Sequence, residues 1–123
     1  MPNPNESKEF MLILRGGIHP RDMQPEQIQA LMAKFGQWMS QMQSCGQVRG
    51  VGRLEDDGRR LSRKHGQIMT DGPYVEAKEI IGGYFLISAL DLNQALDIAK
   101  QCPILENEGT VEVRPIQPPP PQG

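Results

Sequence analysis

Thr70-Asp71-Gly72-Pro73-Tyr74-Val75-Glu76-Ala77-Lys78-Glu79, closed by Gly82-Gly83 ahead of Tyr84-Phe85-Leu86-Ile87, is the stretch around which the chain is organised. Asp-Gly-Pro is a turn with a mechanism. The aspartate carboxylate accepts a backbone N–H two residues on, glycine permits positive φ, and proline fixes the next φ while removing a donor. Three ionisable side chains, Glu76, Lys78 and Glu79, follow at once, and then the apolar pair Ile80-Ile81. Polar chemistry is thus concentrated on one loop between two apolar segments, the usual place for a site on a rigid scaffold.

Upstream of that loop, Phe10-Met11-Leu12-Ile13-Leu14, ended by Arg15-Gly16-Gly17, reads as a strand buried on both faces. Pro25 and Glu26 suit the first turn of a helix. Ile28, Leu31, Met32, Phe35, Met39 and Met42 then recur at helical spacing with Trp38 beside them, and Gly46 supplies the stop. The methionines Met32, Met39 and Met42 read as core or dimer packing. Val48 to Leu54 is a short glycine-bearing strand. Asp56-Asp57-Gly58 signals a hairpin into a polar return strand from Leu61 to Met69.

Downstream, Gly83 to Ser88 is the second strongly apolar strand. Asp91 reads as an N-cap with Gln94 three residues on, opening a helix that carries Leu92, Ala95, Leu96 and Ala99. Cys102-Pro103 ends it. Thr110-Val111-Glu112-Val113-Arg114 alternates as a last strand. The expected division is a loose arm over 1–8, one domain over 9–116 and a proline-rich tail over 117–123.

The order is β-α-β-β-(Asp-Gly-Pro loop)-β-α-β: an α+β, ferredoxin-like plan of two split βαβ units with an extra strand, and an antiparallel sheet with two helices on one face. Two helices cover only one face of such a sheet. Because Phe10 to Leu14 and Tyr84 to Ile87 are apolar at successive positions, the other face is expected to pack too, against an identical copy in a homodimer. Composition agrees: 37% hydrophobic residues and a mean hydropathy of -0.49 are low for a self-sufficient globule, which points to a partner subunit.

Thirteen basic and 15 acidic residues, interspersed, give a net charge of -2 and no field for nucleic acid. No apolar run approaches the roughly 18 residues that span a bilayer, and the N-terminus lacks a signal-peptide core. With no such signal, Cys45 and Cys102 are expected as free thiols in a reducing cytoplasm. No metal spacing is visible, and no cofactor is expected.

The Asp71-Gly72-Pro73-Tyr74 loop followed by Glu76-Ala77-Lys78-Glu79-Ile80-Ile81-Gly82-Gly83-Tyr84-Phe85-Leu86-Ile87 resembles the YCII-related family, in particular its DGPF-type branch. Phe10-Met11-Leu12-Ile13, Gly50-Val51-Gly52-Arg53-Leu54, Cys102-Pro103 and Val111-Glu112-Val113-Arg114-Pro115 extend the likeness over roughly residues 8–116. The resemblance implies a ferredoxin-like domain forming a dimeric α+β barrel, commonly a small free-standing cytoplasmic protein. The family's function is mostly unassigned, and some wider relatives act on small chlorinated or hydroxylated aromatic compounds. A His/Asp pair has been suggested as catalytic in the other branch. Here the histidine's place falls at about Phe35, and that helix holds no histidine. Tyr74 also replaces the phenylalanine after Asp-Gly-Pro, adding a hydroxyl.

Candidate chemistry therefore has to be reassigned. Asp71 is the candidate base, and the alternative is an Asx-turn carboxylate satisfied by backbone N–H groups. His19 and His65 are its candidate partners, and each also reads as a surface histidine. Gly72, Pro73, Tyr74, Lys78, Gly82, Gly83 and Arg53 are the candidate ligand contacts. The two glycines also serve as a bend at a strand end. Arg53 and Arg114 suit an anionic ligand, or equally Glu55 or Glu112 across a strand. Three functions follow. The first is a small-molecule-binding homodimer with a pocket between the first helix and the sheet, bordered by the Asp-Gly-Pro loop. The second is a cofactor-independent lyase or isomerase acting on a small aromatic or lactone. The third, which only the resemblance implies, is an accessory protein in transcription regulation.

Overall fold

The computed structural model describes residues 7–55, 57–71 and 81–118. The elements run β1 (Lys8–Gly16), α1 (Pro25–Ser44), β2 (Val48–Arg53), β3 (Arg60–Lys64), β4 (Gln67–Asp71), β5 (Ile81–Ala89), α2 (Leu92–Ala99) and β6 (Gly109–Pro115), with short 3-10 turns at Pro20–Asp22 and Pro103–Asn107. Four strands form one sheet in the order β2-β5-β1-β6. β5 pairs antiparallel with β1 and β2, and β1 pairs antiparallel with β6. The two central strands, β1 and β5, are thus joined to the outer ones through one helix each, as the split βαβ plan requires.

Pleating explains the core. Phe10, Leu12 and Leu14 of β1 point to one face and are buried, as are Phe85, Ile87 and Ala89 of β5. Both helices lie on that face. Trp38 and Met42 of α1 and Ala95 and Ala99 of α2 complete the cluster, with Val111 and Val113 of β6 packed against it. Trp38 is its pivot: its ring stands edge-on to Phe85 with centroids 4.8 Å apart, and its indole N–H donates to the Ile98 carbonyl at 3.1 Å. One side chain thus joins α1, α2 and the sheet.

Helix ends follow the sequence closely. Gly46 takes φ +68°, and the N–H groups of Gly46 and Gln47 donate to the carbonyls of Gln43 (3.0 Å) and Met42 (2.9 Å), a Schellman closure of α1. The Asp91 carboxylate accepts from the Gln94 N–H at 2.8 Å and so caps α2. The Gln94 side chain reaches back one residue further than the expected box, accepting from the Leu90 N–H at 2.7 Å.

Two expectations are corrected, both on the segment that follows β2. β2 does not form a hairpin with the strand after Asp56-Asp57-Gly58, of which Asp56 lies outside the described residues; β2 pairs with β5. The return segment is itself a hairpin, β3–β4, paired from Arg60↔Asp71 to Lys64↔Gln67. It turns at His65 (φ 51°) and Gly66 (φ 78°), because two successive positive φ values give the twist a two-residue hairpin loop needs. Of the three methionines, Met42 is buried, Met39 packs against the core and Met32 is 57% exposed within one chain, which takes Met32 out of this chain's own core and leaves its dimer-packing alternative standing. Within one chain the sheet stays open, so no barrel is closed by a single copy. The N-terminal arm before Ser7 and the tail beyond Pro118 lie outside the described residues.

Candidate functional site

The face of the sheet turned away from the helices is built by the alternate residues of the same strands. On β1 these are Met11, Ile13 and Arg15, and on β5 they are Tyr84 and Leu86; all five are half-buried. The register sets Met11 opposite Leu86 and Ile13 opposite Tyr84. On the other flank it sets Ile13 opposite Glu112, Met11 opposite Arg114 and Arg15 opposite Thr110. β2 contributes Gly50 opposite Leu86 and Gly52 opposite Tyr84. A Cβ at Gly52 would fall inside the Tyr84 ring. The glycine is what lets the tyrosine lie flat across β2.

Beside this apolar strip sits an ion triad. Arg15 donates to one oxygen of Glu112, and Arg114 donates to the other at 2.9 Å. Hydrogen bonds from the Arg114 and Arg15 guanidiniums hold the Glu112 carboxyl below the ordinary carboxylate range. The alternation of Thr110 to Arg114 already puts Glu112 and Arg114 on one face. Arg15 is legible in the sequence only as the end of a strand, and Tyr84 only as a strand residue. The across-sheet register that joins them is a tertiary fact that neither segment carries alone.

The residues singled out from sequence lie apart. Asp71 ends β4, exposed, whereas His65 sits at the hairpin's tip. Four strand steps separate Asp71 from Gln67, roughly 13 Å, so no direct Asp71–His65 hydrogen bond forms within the hairpin. His19 serves its own loop instead. Its Nδ1 accepts from the Arg21 N–H at 3.1 Å and caps the turn at Pro20–Asp22. Gly82 is the extra residue where the β1–β5 register shifts between Leu14 and Arg15. Gly83 is buried, and a Cβ there would stand 2.9 Å from the Gly52 carbonyl oxygen. Arg53 is exposed at the end of β2, opposite Gly83. Gly72, Pro73, Tyr74 and Lys78 lie outside the described residues, as do Glu76 and Glu79.

The expected pocket between α1 and the sheet is filled by Trp38, Met42 and Phe85. A groove of about 530 Å³ runs instead between α1 and α2, with Gln41, Cys45, Gln94 and Asp97 along its sides. Cys45 is an exposed free thiol and Cys102 a buried one. Burial pushes the Cys102 thiol up to about 11. Among the described residues no three His, Cys, Asp or Glu side chains are grouped to hold a metal ion. No helix among them is long and apolar enough to cross a membrane.

Comparison with known proteins agrees with this architecture. The YCII-related domain profile matches residues 10–119. The chain belongs to the YCII-related family. An uncharacterized protein of Rhizobium meliloti (strain 1021) is 33% identical over 76 residues, which cover 58% of this chain and 61% of that relative's length. The α+β plan of the family, with two helices on one face of an antiparallel sheet, is the plan seen here.

Proposed function

We propose that this YCII-related protein is a small-molecule-binding homodimer in which two helix-free sheet faces close on one another. The observation that carries this reading is the strip Met11, Ile13, Tyr84 and Leu86, presented on a face that neither helix among the described residues covers. Its cross-strand contacts leave these side chains only half-buried, and hiding them from water favours association by about 25 cal/mol for each Å² of apolar surface covered. A second copy offers the same strip, self-complementary about a two-fold axis. The Asp-Gly-Pro stretch precedes β5, the strand that carries Tyr84 and Leu86, in the sequence, and its residues beyond Asp71 lie outside the described ones. The dimer would work in the cytoplasm with both cysteines as thiols.

Mixed dimers of ¹³C-labelled and unlabelled chains test the reading. Isotope-filtered NOEs from the methyl groups of Met11, Ile13 and Leu86 to the unlabelled partner are expected. A panel of small aromatic compounds should then shift those same methyls. Filtered spectra with no cross-peaks on this face would remove the dimer, and a panel that leaves every methyl in place would remove the ligand.

A further inference from the structure

The triad on the helix-free face holds two cations and one anion. Both oxygens of Glu112 are engaged, one by Arg15 and one by Arg114, so the group carries one positive charge in excess. Each guanidinium has five N–H donors in a planar fork, and the bonds to Glu112 use an NH1 nitrogen of each. Donors remain for a second carboxylate in the forked geometry that arginine favours. Glu9 shares the face but lies at the far end of β1, opposite Ser88, while Thr110 is the residue paired with Arg15 in the ladder.

In water the excess charge is screened at little cost. Under a partner's sheet it has to be matched, because a buried charge without a counter-ion is strongly unfavourable. The neighbouring surface fixes what the counter-ion is attached to. Ile13 lies directly opposite Glu112 and Met11 opposite Arg114, with Tyr84 and Leu86 one strand further on. A bare inorganic anion leaves that strip unused, and a neutral aromatic leaves the charge unmatched.

We infer that Arg15 and Arg114 form an anion subsite for the carboxylate of a small aromatic or apolar acid, whose carbon frame lies on Ile13, Leu86 and Tyr84. The inference rests on the chamber proposed above and names the ligand class that it takes.

Full-length protein titrated with benzoate, benzamide and inorganic phosphate provides the test, with NMR shifts followed at the arginine Nε–H groups and the Ile and Leu methyls. Molar mass is measured on the same samples. Benzoate should saturably shift Arg15, Arg114, Ile13 and Leu86, and the other two probes should bind about tenfold more weakly or worse. Arg15→Gln should weaken benzoate by about tenfold, whereas Glu112→Gln should tighten it by about threefold or more by removing the competing carboxylate. A purely structural triad would not separate the two variants in opposite directions. A dimer that binds benzoate and benzamide equally, or neither, overturns the subsite and leaves the dimer standing. A monomer that shows the benzoate shifts keeps the subsite and removes the chamber.

Discussion

Cys102 and Cys45 show how place in the fold sets the behaviour of one residue type. Cys102 is 2% exposed and its thiol is pushed up to about 11 by burial, so the reactive thiolate is scarce as well as shielded. Native protein should therefore react with a thiol reagent such as DTNB at Cys45 alone, and at both cysteines once unfolded; two rapid equivalents in the native state would contradict the buried assignment. In the unfolded chain the thiol ionises from its ordinary value of 9.0. Between 9 and about 11 the folded state holds the extra proton, so stability falls as pH rises through that window. Urea midpoints should decline more steeply there for the native sequence than for Cys102→Ala. The paired glycines give a second contrast. Gly83→Ala brings a Cβ to 2.9 Å from a backbone oxygen, whereas at Gly82 the nearest neighbour stands 3.9 Å away. Gly83→Ala should cost about 1–3 kcal/mol in a denaturant titration, and Gly82→Ala should stay within about 1 kcal/mol of the parent.

At the scale of elements, the cap on α2 is the cleanest lever. Asp91→Ala removes the bond to the Gln94 N–H and should cost about 1 kcal/mol of stability, while Asp91→Asn, which keeps an acceptor oxygen, should cost little. The β3–β4 hairpin behaves differently. Leu61 is 66% exposed, Ile68 54% and Met69 45%, and a two-stranded ribbon on its own is marginal in water. His65→Val places a β-branched residue at φ 51° and should open the hairpin locally. Amide exchange should then speed up in β3 and β4 and stay slow in β1 and β5; uniform protection throughout would contradict this. The hairpin is also where the sequence was least legible. Asp56-Asp57-Gly58 is a strong local turn signal and Lys64-His65-Gly66 a weak one, yet the ladder closes across the weak one. Elements with a helical or strand period over apolar residues, α1 with its Gly46 stop and α2 with its Asp91 cap, were readable because local chemistry and tertiary burial agree there. The triad was half readable: alternation pairs Glu112 with Arg114, but Arg15 joins them only through strand register.

The whole molecule is a one-sided sandwich. Its helices seal one face of the sheet around Trp38, and the other face keeps Met11, Ile13, Tyr84 and Leu86 beside an arginine-rich triad. Under the proposal above, a second copy covers that face. Sedimentation equilibrium on the full chain and on Ile13→Glu, which sets a carboxylate in the centre of the strip, is the most direct measurement. The parent chain should sediment at twice its 13.7 kDa mass and Ile13→Glu as a folded single chain. A parent protein that stays at 13.7 kDa across the micromolar range would contradict the account.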